Sequence, residues 1–182
     1  MEIFKYGKIK YMKKSLIRIF IVGLLVLIYL SVNPVKHIFA KDEESYLVPY
    51  IGMFDIFDKK HYTLGGLELR TSKLIPNNYF IVTKIGAYFN KKNSVYGYLG
   101  FNLDIPLYKD FYVAPGFALG AYSKGKGKKL GGTLEFRSSI ELGYKMINKH
   151  KVGISLSHIS NANIYKKNPG AEDLVITYSI PF

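Results

Sequence analysis

VGISLSHISN, residues 152–161, and EDLVITYSIPF, residues 172–182, are two alternating stretches separated by a polar loop. In a strand, residues two apart share a face. Val152, Ile154 and Leu156 therefore point the same way as His158 and Ser160, and Lys151, Gly153, Ser155 and Ser157 point the other way. Beyond the loop, Leu174, Ile176, Tyr178, Ile180 and Phe182 share a face with Glu172. A hairpin that sets Leu156 opposite Leu174 sets His158 opposite Glu172. A hydroxyl, an imidazole and a carboxylate then gather on the apolar side of a sheet. Such groups are costly there without a reason, and chemistry on an apolar substrate supplies one.

Working outward, eight strand-like segments separated by turn residues follow Lys41: roughly 46–57, 62–71, 78–89, 95–105, 111–122, 131–144, 151–160 and 172–182. Val95, Leu99, Phe101, Leu103 and Ile105 oppose Tyr96, Tyr98, Asn102 and Asp104. Leu134, Phe136, Ile140 and Leu142 oppose Glu135, Arg137, Ser139 and Glu141. Phe111, Val113, Phe117 and Leu119 oppose Ala114, Gly116, Ala118 and Gly120. The polar face thus mixes small residues with Glu68, Arg70, Asp104, Glu135, Arg137 and Glu141, which suits the narrow interior of a small barrel where opposite charges pair. A soluble barrel of lipocalin type would reverse the faces. The fold class expected is all-β, an eight-stranded antiparallel transmembrane β-barrel of the outer membrane, with lipid against the apolar side.

The N-terminal forty residues agree. Lys5, Lys8, Lys10, Lys13, Lys14 and Arg18 precede an apolar run from Ile19 to Val32, and Ala40 closes the segment. This is the anatomy of an export signal, with an apolar run short for a membrane span. Residues 1–40 read as a cleaved signal peptide and 41–182 as one barrel domain, with Met12 an alternative start. An uncleaved anchor helix is the rival reading. The segment holds seven of the 26 Lys and Arg and one of the 13 Asp and Glu, so the formal charge falls from +13 to +7 on its removal. Cysteine is absent, which fits an exported protein without disulfides. With both termini at the inner end, turns near 72–77, 106–110 and 145–150 fall on the periplasmic side. Loops near 58–61, 90–94, 123–130 and 161–171 fall outside. Phe182, in phase with the apolar residues before it, resembles the signal read by the barrel assembly machinery during insertion.

Ser-His-carboxylate arrangements recur on unrelated folds because their roles are geometric. A serine hydroxyl needs a neighbouring base, and the base needs a group to hold its tautomer. Parity alone leaves a second reading open, in which His158 and Ser160 only mark where the strand leaves the membrane. The motif His158-Ile159-Ser160-Asn161-Ala162, then Asn168-Pro169-Gly170, then Glu172 resembles the C-terminal motif of the lipid A 3-O-deacylases of PagL type. The resemblance implies an eight-stranded outer-membrane barrel of a Gram-negative bacterium with its active site toward the outer leaflet. It implies Ser160 as nucleophile, His158 as general base and Glu172 as the group orienting His158. It also implies Asn161 at the oxyanion hole and Asn168 in support. Asn163 departs from the family, where glycine is expected. The reaction implied is hydrolysis of the 3-O-linked 3-hydroxyacyl ester of lipid A in lipopolysaccharide.

Gly125-Lys-Gly-Lys-Lys-Leu-Gly131 resembles a phosphate-binding glycine loop only superficially, because it joins two strands and opens no helix. It reads either as a solvated basic loop or as a place where Lys124, Lys126, Lys128 and Lys129 attract the anionic headgroup of lipid A. No nucleic-acid recognition module accompanies the positive charge. His61 and His150 read as loop residues, and no metal-ligand spacing occurs, so neither metal nor cofactor is expected. Partners expected are lipopolysaccharide, outer-membrane lipid and the assembly machinery, and a homodimer is compatible with the reading. The rival functions are a non-catalytic small barrel of OmpA or adhesin type and a different lipid A or phospholipid acyl-ester enzyme.

Overall fold

The computed structural model describes residues 44–74 and 81–182, all within one compact unit, residues 39–182. The expected signal segment 1–40, the start near Lys41 and the beginning of the third strand at 78 lie outside the described residues. β-Branched and aromatic residues at alternate positions favour extended chain. They give β1 Ser45–Phe54, β2 Tyr62–Thr71, β3 Ile81–Asn90, β4 Val95–Leu103, β5 Ile105–Pro106, β6 Phe111–Ser123, β7 Leu134–Lys145, β8 Lys151–Ser160 and β9 Ala171–Pro181. β5 continues β4 in register on the same partner: Asn102 faces Gly116 and Ile105 faces Val113. The two form one stave, and the barrel has eight.

Every pairing is antiparallel, and β1 pairs with both β2 and β9. The order runs β4-β3-β2-β1-β9-β8-β7-β6, and β4 pairs with β6 to close the sheet. Closure leaves no open edge, which a chain crossing lipid requires. Three boundaries differ from the sequence reading. β1 stops at Phe54 instead of 57, because Asp55 turns the chain with φ +61°. The sixth stave, β7, starts at Leu134 instead of 131, Gly131 having φ +118°. The fourth is interrupted at Asp104, whose Oδ2 accepts from Lys151 Nζ at 3.1 Å.

The wall is apolar outside and polar inside. Ile51, Ile85, Leu99, Ile140, Ile154 and Ile176 are exposed, whereas Glu68, Arg70, Glu135, Arg137 and Glu141 are buried. The interior is filled. Arg70 donates to both oxygens of Glu141 at 3.0 and 2.9 Å and from Nε to Glu68 at 2.6 Å. Tyr98 donates to Glu68 at 2.6 Å, Tyr112 donates to Glu141 at 2.7 Å, and the Arg137 guanidinium lies 4.8 Å from the Tyr98 ring centre. The void among these residues is about 10 Å³, roughly one water's worth. Toward the loop end Phe54, Tyr88, Tyr96 and Tyr122 pack together, with Phe54 and Tyr122 stacked at 6.3 Å. A plugged interior sends any chemistry to the outer wall or the loops.

Candidate active site

β8 and β9 pair in the expected register: Leu156 faces Leu174 and His158 faces Glu172. All three sequence-predicted catalytic side chains stand on the outer, apolar face. Their inward neighbours Ser157, Ile159 and Asp173 are buried, while the His158 side chain is 47% exposed and that of Glu172 31%. His158 Nδ1 lies 3.0 Å from Glu172 Oε1. The carboxylate is an acceptor, so this contact places the imidazole proton on Nδ1 and leaves Nε2 as a base. Ser160 follows two residues along β8, half-buried, where the strand ends. On β7, Ser138 lies beside His158 and Phe136 beside Ser160, and Phe136 stacks on Phe117 at 5.9 Å. The candidate nucleophile thus stands at the top of an apolar wall, where an acyl chain lying in lipid meets its polar head.

The last loop, residues 161–170, is built on asparagines. The Asn161 side chain is wholly buried. Its Nδ2 donates to the Leu130 carbonyl at 2.8 Å and the Lys167 carbonyl at 2.9 Å. Its Oδ1 accepts from the Asn163 N–H at 3.1 Å, and its own backbone N–H donates to Asn168 Oδ1 at 3.0 Å. Asn161 therefore binds the loop 124–133 to the loop 161–170. Asn163 takes φ +66°, the left-handed region that glycine adopts freely and asparagine tolerates better than most residues. Asparagine here thus takes a conformation that the expected glycine would also enter freely. Gly170, at φ +68°, lies against the His158 imidazole: a Cβ there would come within 2.8 Å of His158 Cε1.

The four lysines named from sequence separate into two groups. Lys128 turns inward to the buried Asp55, 2.8 and 2.7 Å from its two carboxylate oxygens, and lies 3.5 Å from Asp58. Burial raises the Asp55 carboxyl above the ordinary range, and the Lys128 contact pulls it back in part. Backbone N–H donation, chiefly from Lys60, holds Asp58 below it. Asp55 begins the loop whose Ile56 N–H donates to the Glu172 carbonyl at 2.9 Å, so Lys128 braces the chain next to Glu172. Lys126 is exposed and its backbone N–H is bonded to the Lys92 carbonyl. Lys124 and Lys129 line a cleft of about 730 Å³ with Lys166, Lys167 and Pro169.

Sequence reasoning left out Tyr165, Lys166 and Lys167. Tyr165 accepts from the Leu134 N–H at 3.2 Å and lies against Gly132, where a Cβ would meet its ring. Loops carry no period to read. Position in the chain was the available signal: these residues lie in the loop that joins Ser160 to Glu172.

Comparison with known proteins agrees with this fold. A crystal structure described as the outer membrane enzyme PagL superposes with a TM-score of 0.59 at 21% identity, covering 75% of this chain and 99% of that one. A de novo designed transmembrane β-barrel gives 0.52 at 8% identity, covering 79% and 100%, and the neisserial surface protein A 0.50 at 9%, covering 76% and 96%. At such identities these likenesses speak for the fold. The lipid A deacylase PagL of Bordetella bronchiseptica is 31% identical over 74 residues, a match covering 40% of this chain and 42% of that protein. The family model described as lipid A 3-O-deacylase (PagL) matches residues 59–181, most of the barrel and every residue of the candidate site, and the chain belongs to that family.

Proposed function

We propose that this chain is an outer-membrane serine esterase that removes the 3-O-linked 3-hydroxyacyl chain from lipid A. The observation that carries the proposal is the 3.0 Å contact between His158 Nδ1 and Glu172 Oε1 on the lipid-facing side of the wall, with Ser160 two residues further along the same face. A binding barrel has no use for a carboxylate that fixes an outward imidazole. The family supports lipid A as substrate, as does the exposed apolar wall of Leu156 and Leu174 below the serine, with Phe136 beside it.

In this mechanism Glu172 keeps the His158 proton on Nδ1, and Nε2 takes the proton from the Ser160 hydroxyl as its oxygen attacks the ester carbonyl. Asn161 stabilises the oxyanion by turning one amide hydrogen from the Leu130 or Lys167 carbonyl toward it, while Asn168 holds the Asn161 N–H. His158 then returns the proton to the departing sugar 3-hydroxyl. Water, deprotonated by the same imidazole, opens the acyl-serine and releases the 3-hydroxy fatty acid. Signal removal near Lys41 and handling by the barrel assembly machinery belong to the same proposal.

The test is release of 3-hydroxy fatty acid from purified lipopolysaccharide by folded protein in detergent, read by mass spectrometry. The unsubstituted protein should shorten lipid A by one hydroxyacyl chain. Ser160→Ala should lower kcat by about 10³–10⁶ while remaining a closed barrel. Full activity in a folded Ser160→Ala protein would end the serine-esterase reading and favour the binding barrel.

A further inference from the structure

The cleft between the loops 124–133 and 161–170 has a floor of Leu130, Gly131, Gly132, Thr133 and Pro169, and every charged side chain lining it is a lysine. Lys124 and Lys129 approach from one loop, Lys166 and Lys167 from the other, and Gly131 and Gly132 lie between them. All four lysines are exposed, and no carboxylate lines the cleft. Lys128 is the contrast: it belongs to the same loop, but its charge is spent on Asp55 and Asp58. The fold therefore neutralises one lysine of the loop and collects four others around a concavity. Like charges held together repel one another, and an anion relieves that repulsion. The volume, about 730 Å³, falls in the range of roughly 300–1,000 Å³ usual for small-molecule sites and exceeds what a lone ion needs.

The position of the cleft ties it to the chemistry. Pro169 lines it, and the next residue, Gly170, lies against the His158 ring. The Lys167 carbonyl, in the same segment, receives the Asn161 amide beside Ser160. We infer that this cleft binds the phosphate monoester of the glycolipid head, with Lys166 and Lys167 on one side and Lys124 and Lys129 on the other. It thereby sets the sugar so that the 3-position ester falls at Ser160. The inference rests on the esterase reading for its substrate class, but it concerns recognition and is testable without turnover. It makes Lys166 and Lys167 specificity residues and leaves Lys126 and Lys128 outside the site.

Binding is measured on full-length barrel carrying Ser160→Ala, in detergent micelles, so that the ligand is not consumed. The probes are lipid A bearing its phosphates, the same lipid A dephosphorylated, phosphatidylglycerol and inorganic phosphate. Phosphorylated lipid A should bind about 10-fold or more tighter than the dephosphorylated form. Adding K166Q with K167Q, or K124Q with K129Q, should each weaken the phosphorylated ligand by about 5–25-fold. Lys73→Gln, in a turn at the other end of the barrel, should change nothing. Phosphatidylglycerol and inorganic phosphate should compete weakly, since they bring the charge without the sugar. Equal binding of the two lipid A forms would overturn the inference, and so would phosphatidylglycerol competing as well as lipid A. An equal effect of Lys73→Gln would reduce the result to general surface charge and overturn it too. Heat-modifiable migration confirms that each variant is a closed barrel. Failure of the esterase reading shows up in turnover by the unsubstituted protein, separately from these affinities.

Discussion

Glu141 and Glu172 each hold a nitrogen partner at about 3 Å, on opposite sides of one barrel wall. Inside, Glu141 receives a bidentate pair from Arg70, accepts from Tyr112 and is sealed from solvent. Outside, Glu172 meets the imidazole of His158, both side chains remain partly open, and a hydroxyl follows two residues away. The inner pair has its lone pairs and protons assigned, so it can do nothing but hold staves together. The outer pair leaves Nε2 uncommitted. On the esterase reading, chemistry at this wall comes from what a charged group leaves unsatisfied, and the difference between the two carboxylates can be broken or sharpened by mutation.

The largest effect belongs to the outer pair. His158→Ala should lower kcat as far as Ser160→Ala, about 10³–10⁶, and the double variant should be little worse than either single one, because nucleophile and base act as a unit. Glu172→Ala should be the milder, by about a factor of 100, since orienting a base is worth less than supplying it. None should lower stability by more than about 1 kcal/mol, as the cluster is half open to solvent. Single-turnover release of 3-hydroxy acid and urea unfolding measure the two quantities. Additive losses in the double variant would mean that the two side chains do not act on one proton.

The inner pair should behave in the opposite way. Arg70→Leu leaves Glu68 and Glu141 without their main counter-charge in a dry interior, at a cost of about 3–5 kcal/mol. Activity per folded molecule should be retained, because none of these residues reaches the outer wall. A fall in kcat without a fall in stability would show that the interior is coupled to the triad.

The outer wall itself sets the next effect. Ile140, exposed and central in β7, faces the middle of the lipid, whereas Leu134 stands at the rim with its N–H on Tyr165. Ile140→Arg should cost about 2–4 kcal/mol and Leu134→Arg only about 0–1. The reverse order in unfolding from lipid vesicles would place the membrane at the wrong height on the barrel.

How much of this was legible beforehand follows from period. Alternation located the outward His158, Ser160 and Glu172 and the inward Glu68, Arg70, Arg137 and Glu141, because a barrel strand has no way to bury two successive side chains on one face. The same parity also places Lys84 inside, where it donates to Asn102 at 2.7 Å, but a lysine within an apolar strand is easily passed over as solvent-facing. The loops were opaque. Neither the inward turn of Lys128 to Asp55 nor the bond from Asn161 to the Leu130 carbonyl has a sequence signature. Both depend on how two loops far apart in the chain meet above the barrel.

Asn163 offers the finest distinction, because it separates backbone shape from side-chain chemistry within the loop 161–170. Its φ of +66° is the conformation for which glycine is the default, and its N–H is bonded to Asn161 Oδ1. If the position matters only for the path of the chain, Asn163→Gly should keep kcat within about twofold and stability within about 0.5 kcal/mol, since glycine enters this region without strain. Asn163→Ala should then cost about 1–2 kcal/mol, because Cβ crowds the carbonyl in the left-handed region and alanine has no amide to compensate. If instead the Asn163 side chain has a role of its own, through its 3.5 Å contact with Asn168 Nδ2, glycine and alanine should fall together. Parallel measurement of kcat and the unfolding midpoint decides between them. The glycine variant active and the alanine variant impaired would assign the position to the geometry of the turn that follows Ser160.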